Sequence, residues 1–327
     1  MTRPRTLAVL AGLSLFVSWS GENGIERVRP AARVSATPVP LAESGPGRRR
    51  VGALAYLGGV RLTADDPAFG GYSSLMVQGD RFTLLSDLGD VLHFTLGAGW
   101  RPRAVRFADL PAGPRTGWTK RDRDSESMTV DPATGRVWVG FEQFNQIWRY
   151  GPGFAPPAQG VAPVAMAGWK DNGGAESMVR LRDGRFVAIS ETTRPPGGGT
   201  GRDALLWSGD PVAQPVPAFR FVYHPAPGFD PSDMTQLPDG RLLVLERRFQ
   251  LPFRWSNRLV LVDPAAIRPG AAVTGQAVAT LKAPLIHDNF EGVAAVREGE
   301  ATILWLVSDD NQLPIQRTLL LKFRLEA

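Results

Sequence analysis

Nine acidic residues recur at matched places along this 327-residue chain. Glu126, Glu176, Asp233 and Glu291 each open an apolar run, and Asp87, Glu142, Glu191, Glu246 and Asp309 each close the run that follows. Carboxylates gathered in one place repel one another and lose solvation. Such a set persists only with cations, arginines or shared protons between its members. Oxygen-only sites of this kind suit calcium. The chain has no cysteine and only three histidines, His93, His224 and His287. That composition excludes thiolate nucleophiles, iron–sulfur clusters and thiolate zinc sites, and it argues against an all-histidine metal centre. The alternative for each acid taken singly is structural: a carboxylate that caps a strand and accepts from neighbouring backbone amides.

The basic residues nearest these acids in sequence are Lys120, Arg121 and Arg123 before Glu126, Arg194 after Glu191, Arg247 and Arg248 after Glu246, and Arg317 after Asp309. A guanidinium fork suits phosphates and carboxylates, so the partner expected is an anionic small molecule. Adjacent strand residues point to opposite faces, so at most one of Arg247 and Arg248 is expected to face the acids. His287, beside Asp288 and Asn289, enters the same loop region as Glu291 and is a candidate ligand contact. His93 and His224 read as a strand residue and a surface residue. The net charge is +5, with 37 basic and 32 acidic residues. The arginines are scattered, without the basic stripe a nucleic-acid footprint needs. The strand–Gly-Xaa-Ser-Xaa-Gly elbow, the glycine-rich lysine loop for nucleotides and the paired histidines of a zinc helix are all missing.

The acids must be positioned by whatever repeats. Five segments share one plan: a small or acidic residue opening an apolar strand, a turn with Gly, a second apolar strand and a closing acid. They run from 73 to 87, 126 to 142, 176 to 191, 233 to 246 and 291 to 309, a period of roughly 50 to 58 residues. Gly79, Gly135, Gly184, Gly240 and Gly299 sit at the turns. A third strand is legible after each hairpin, and fourth strands near 103–110, 161–167, 216–223 and 275–282. This predicts an all-β chain, a single β-propeller of five four-stranded blades; six is the alternative if 144–170 or 192–230 conceals another hairpin. A two-sheet sandwich of the same strands leaves the fivefold return of the motif without a reason. The fifth repeat ends at Ala327 without its outer strand, which the run Val51 to Leu57 is expected to supply. Innermost and second strands are antiparallel, so the opening and closing acids converge on one mouth of the axial channel. Ser73 stands where the other repeats carry an acid, which leaves one gap in the ring.

Residues 1–20 read as a signal peptide, with Arg3 and Arg5, an apolar run from Leu7 to Val17 too short to span a bilayer, and Ser18 and Ser20 before Gly21. No stable membrane span is expected after cleavage, and the location expected is periplasmic or secreted. Residues 21–47 read as a flexible Pro/Gly-rich tether adding no core, and 48–327 as the propeller domain.

Several motifs resemble a known family. They are Asn172-Gly173-Gly174-Ala175-Glu176-Ser177, the run Leu237 to Arg247, Asp288-Asn289-Phe290-Glu291-Gly292, and Ser308-Asp309-Asp310-Asn311 through Gln316-Arg317-Thr318. Over residues 50–325 the chain resembles the bacterial family described as having esterase-like activity of phytase. The resemblance implies a secreted or periplasmic propeller and phosphoric-ester hydrolysis. The Arg-His-Gly run of histidine acid phosphatases is missing, so phosphatase chemistry here is expected to depend on a metal.

The reading that follows is a calcium-assisted hydrolase of phosphate or related esters, with a small-molecule ester as substrate. Glu126, Glu176, Asp233, Glu291 and Asp309 are the expected cation ligands. Glu142, Glu191 or Glu246 is the expected general base, with Asp310 in the same constellation, and Arg247, Arg317, Arg123 and His287 the expected substrate contacts. Two alternatives stand beside it: a non-catalytic propeller whose acidic face binds a cationic ligand, peptide or envelope component, and a lactonase-like sugar-ester hydrolase.

Overall fold

The computed structural model describes residues 33–326 apart from Trp118, Gln214 and Phe253. The signal-peptide reading of 1–20 lies outside the described residues. Five antiparallel sheets follow one another along the chain. Blade one is Tyr72–Gln78, Arg81–Ser86, Asp90–Gly97 and Arg101–Asp109, and blade two is Ser125–Val130, Val137–Phe141, Gln146–Tyr150 and Gln159–Val161. Blade three is Ser177–Arg180, Phe186–Ile189, Arg202–Trp207 and Ala218–Tyr223, with Ala272–Val273 added in parallel at its edge. Blade four is Asp230–Gln236, Leu242–Gln250, Arg254–Val262 and Gln276–Leu281, and blade five begins with Asn289–Glu298, Ala301–Asp309 and Thr318–Leu325. Each innermost strand lies beside the next, and that of blade five returns to that of blade one. The count is five: 144–170 and 192–230 hold only the outer strands of blades two and three and short turns.

The blades are apolar on both faces because each packs against two neighbours. In blade four the second strand sends Leu243 and Leu245 into the interface with blade five, where Leu304, Leu306 and Leu319 meet them. It sends Val244 the other way, onto Val187, Ile189 and Leu206 of blade three. Five such clusters fill the five interfaces. This is why the second strands read as unbroken apolar runs rather than alternating ones. At the tight turns of blades three and four, Gly184 and Gly240 take φ of 90° and 96°, which a side chain would resist.

Blade five is closed by the N-terminal part of the chain. The closing strand is Leu54–Ala64, antiparallel to Thr318–Leu325 with Leu62 opposite Thr318 and Leu54 opposite Leu325. It starts three residues later and runs seven residues further than the expected Val51–Leu57. Arg50–Val51 turns back onto its start. The described part of the stretch read as a tether also differs from that reading. Val34–Pro38 pairs outside the closing strand, Leu41 is fully buried between blades four and five, and its carbonyl accepts from Ile286. A Pro-rich segment can do this at a sheet edge, where a missing N–H costs no ladder bond.

Candidate functional site

The register of the blades defines two rings of residues at one mouth of the axis. In blades one, two, four and five the innermost strand carries a bulge near its start, between Tyr72 and Ser74, Ser125 and Ser127, Pro231 and Asp233, and Phe290 and Gly292. A bulge inserts an unpaired residue and re-aims its side chain. The bulged residues are Ser73, Glu126, Ser232 and Glu291. Glu176, just before the paired Ser177 of blade three, holds the same place. The matching positions on the second strands are Asp87, Glu142, Glu191, Arg247 and Asp309.

Blade four therefore departs from the expected pattern by one residue, and one residue reverses every side chain. Ser232, not Asp233, sits in the inner ring, so the ring has two gaps, at Ser73 and Ser232. Both hydroxyls donate to the backbone of the next blade, Ser73 Oγ to the Ser125 carbonyl at 2.6 Å and Ser232 Oγ to the Phe290 carbonyl at 3.3 Å. Asp233 occupies the position of Ser74 and does the same work: it accepts from Val293 N at 2.7 Å, as Ser74 Oγ accepts from Met128 N at 3.1 Å. On the second strand Arg247 takes the ring place and Glu246 is turned away, where it accepts from Tyr223 Oη at 2.7 Å and Arg258 Nη1 at 2.8 Å. Arg248 lies on the outer side, its guanidinium over the Phe229 ring.

Arg247 is the hub of the mouth. Its Nη2 donates to Glu191 Oε1 at 2.7 Å and stands 3.9 Å from Glu176, while Nη1 donates to Glu291 and to Asn289 Oδ1. Burial opposes its charge, but Glu176 and Glu191 outweigh burial and hold it protonated. On the other side Lys120, from the single turn of helix Lys120–Arg123, pairs with Asp87 and stands 3.7 Å from Asp124. Asp124 is a member sequence reasoning missed. It sits between the turn Lys120–Arg123 and the strand Ser125–Val130, two residues before Glu126, and that closeness in sequence was the available signal.

Among the described residues two groups of carboxylates come close enough to share a cation. One oxygen each from Asp124, Glu126 and Glu142 lies within 4.8 Å of the others, and the same holds for Glu142, Glu176 and Glu191. Glu142 belongs to both and accepts from Gly173 N and, at 3.1 Å, from Gly174 N. Asp124 Oδ1 is buried and makes no hydrogen bond. The acids of the mouth outnumber Lys120 and Arg247. Burial first, then neighbouring carboxylates, pushes Glu126 and Glu176 well above the ordinary range and Glu142 up to about 7. Burial and Asp87 take Asp309 to about 7, and burial raises Asp87 against the pull of Lys120. An all-oxygen set whose carboxylates outnumber the cations among them fits a hard divalent cation.

Of the expected ligands, Glu126 and Glu176 join these groups. Glu291 and Asp309 lie on the far side of Arg247, bridged by Asn289 Nδ2 at 2.7 and 3.4 Å. Asp310 is committed to the fold, accepting from Gly71 N, Gln312 N and Thr318 Oγ1 at 3.0, 3.0 and 2.8 Å. Arg123 donates to the Pro114 carbonyl at 2.6 Å and packs over Gly113 and Gly117, apart from the ring. His287 and Arg317 come together at the rim of blade five, lining a cavity of about 350 Å3 with Val39, Pro40 and Glu43. There Arg317 Nε donates to Asp288 at 3.0 Å, and His287 Nδ1 is tied to the Leu285 carbonyl at 2.7 Å.

Residues 67–312 match the model of the family described as phytase-like, esterase-like activity of phytase. The chain belongs to that family. The matched span runs from just before blade one to the loop after Asp309, so it contains every residue of both rings. Comparison with curated proteins returns no match. Among solved structures, this phytase-like chain is similar to a luciferin-regenerating enzyme at 14% identity, covering 88% of this chain and 95% of the other with a TM-score of 0.45. It is also similar to a chain of a nidogen/laminin complex at 10% identity, 88% and 93% coverage and a TM-score of 0.40. A hydrazine synthase of Kuenenia stuttgartiensis matches at 11%, 75% and 58%, with a TM-score of 0.37. No helix among the described residues is long and apolar enough to cross a membrane.

Proposed function

We propose that this phytase-like chain is a secreted or periplasmic hydrolase of phosphate or related esters, assisted by calcium held at the acidic mouth. The observation that carries the reading is the pair of carboxylate groups sharing Glu142, whose acids outnumber the neighbouring Lys120 and Arg247. Asp124, Glu126 and Glu142 would hold the cation. When bound, such an ion polarises an ester oxygen and lowers the pKa of a water. Glu191, oriented by Arg247, takes the proton from the attacking water as general base. Glu142 is kept in place by the amides of Gly173 and Gly174, so its geometry does not depend on a ligand. Arg317 and His287, at the rim cavity, supply positive charge and hydrogen bonds for the anionic part of the substrate. Secretion rests on the basic start and short apolar run of residues 1–20.

The test is elemental analysis of the purified protein followed by a panel of phosphate esters, carboxylate esters and lactones with and without chelator. Bound calcium and chelator-sensitive turnover of at least one class are expected. Protein without metal that turns over no ester would overturn the reading. A second reading is favoured by one observation: the chain's own cations, Lys120 and Arg247, already sit among the carboxylates. A non-catalytic face that binds a cationic ligand would show the same feature, and it is distinguished by binding of a lysine-rich peptide with no turnover.

A further inference from the structure

A cavity of about 570 Å3 opens between blades one and five, at the end of the propeller away from the acidic mouth. The mouth lies where the innermost strands begin, and this cavity where they end. Its lining includes Asp80 in the turn after Tyr72–Gln78, Glu298 at the end of Asn289–Glu298, and Trp100 in the turn between Asp90–Gly97 and Arg101–Asp109. The sheet of blade five adds Leu57 from the closing strand, Trp305 and Lys322. Sites for small molecules have volumes of roughly 300–1,000 Å3 and are mostly apolar, with a few placed polar groups.

The apolar wall is aromatic. The Trp100 and Trp305 rings meet edge to face, 5.4 Å apart. Trp100 takes a φ of 62°, the left-handed region that a bulky side chain ordinarily avoids. Its ring lies on Gly58, where a Cβ would stand 2.6 Å from it. Strained positions of this kind gather at ligand clamps. Trp305 Nε1 is shielded from solvent and makes no hydrogen bond, and a buried donor in that state calls for an acceptor.

The polar groups of the cavity carry both signs. Lys322 Nζ donates to Glu298 Oε2 at 2.8 Å and stands 5.1 Å from the centre of the Trp305 ring. Asp80 is exposed, and among the described residues its carboxylate enters no ion pair. An anionic ligand would face Asp80 and Glu298, and a cationic one Lys322. A neutral ligand avoids both repulsions. Hydroxyls donate and accept, so they can answer carboxylates and ammonium alike. The three charged groups come from three different elements, so the hydroxyls must be spread around the ligand, while the indoles need an apolar face. A neutral sugar ring has this form, with hydroxyls along its edge and C–H groups on its faces.

We propose that this cavity binds a short neutral saccharide. One ring packs on Trp100, its hydroxyls are shared between Asp80 and the Lys322–Glu298 pair, and one of its oxygens accepts from Trp305 Nε1. The site is separate from the acidic mouth and does not rest on the hydrolase reading. Leu57, apolar yet 43% exposed, covers the second ring from the closing strand.

The probes are cellobiose, maltose and diacetylchitobiose, titrated calorimetrically into the full chain, with digalacturonate and the glucosamine disaccharide as charged counterparts. At least one neutral disaccharide is expected to bind, about tenfold or more tightly than either charged one, since each of those brings a like charge to the rim. Trp100→Ala should weaken that binding about tenfold, the scale of one well-packed aromatic contact, and Trp100→Phe less. Asp80→Ala, at an exposed turn, tests the rim without touching the packing of Trp100 and should weaken binding about fivefold or more at an unchanged melting temperature. Saturation with the sugar should shift the Trp305 indole N–H resonance, which Trp305→Phe identifies. No binding of any neutral disaccharide, tighter binding of a charged one, an unmoved Trp305 resonance, or full affinity in both alanine variants overturns the inference.

Discussion

Arg247 Nη2 and Glu191 Oε1 meet at 2.7 Å across the mouth, joining blade four to blade three, while the other arm of the same guanidinium reaches Glu291 of blade five. One positive charge thus ties three blades together. It also divides the ring, leaving Glu126, Glu142 and Asp124 on the side away from it.

Replacing Arg247 by Met would leave buried carboxylates facing one another. Breaking such a pair by removing one partner typically costs about 3–5 kcal/mol. Urea denaturation should show a loss of that order without calcium. Added calcium should recover more stability in the variant than in the wild type. An Arg247→Met protein as stable as the parent would remove the guanidinium from this role.

Removal of the cation should lower the melting temperature, because a ligand bound only to the folded state stabilises it by mass action. Glu142→Gln touches both carboxylate groups and should abolish the calcium-dependent shift. Glu191→Gln should keep the shift and lower kcat by about a hundredfold, the scale of a lost general base. Calcium-induced stabilisation of undiminished size in Glu142→Gln would place the ion elsewhere.

The pH dependence follows from three carboxyls raised by burial. Asp90, raised first by burial and then by its hydrogen bond to Asp109, is pushed up to about 8, and Glu142 and Asp309 to about 7. A group whose folded pKa lies above its unfolded value near 4 contributes stability fully present below that value. The contribution is lost as pH rises through the folded pKa. Metal-free protein should therefore lose stability from about pH 4 to about pH 8. Asp90→Asn should flatten the upper part of that slope, and denaturation midpoints across the range would show whether it does.

Asp309 and Asp310 are neighbours with different work. Asp310→Ala removes acceptors for Gly71 N and Thr318 Oγ1 and should cost about 1–3 kcal/mol, with turnover per folded molecule kept. A selective loss of turnover at unchanged stability would return Asp310 to the site.

Closure also predicts truncation behaviour. Deleting 54–64 should abolish cooperative unfolding, since that strand completes blade five. Deleting 33–45 should lower the melting temperature rather than leave it unchanged, because it removes the buried Leu41. A 46–327 chain that melts with the full protein would restore the tether reading for that stretch.

What the amino-acid order determined by itself was whatever repeats locally. The hairpin turns at Gly184 and Gly240, the doubly apolar second strands and the return of an acid every 50 to 58 residues carry a five-bladed propeller with its acids at one mouth. Those features depend on neighbours in sequence, and they are legible there. The membership of the site was decided by tertiary structure. Asp233 and Glu246 match their repeats by type, yet each stands one residue out of step with the ring, so Ser232 fills the bulge of the innermost strand and Arg247 the matching place on the second. A bulge is a choice of register between strands, and nothing within either strand declares it. Asp124 joins the site and Asp310 leaves it for the same reason: whether a buried carboxylate binds a cation or an amide depends on which donors the neighbouring blade brings within reach.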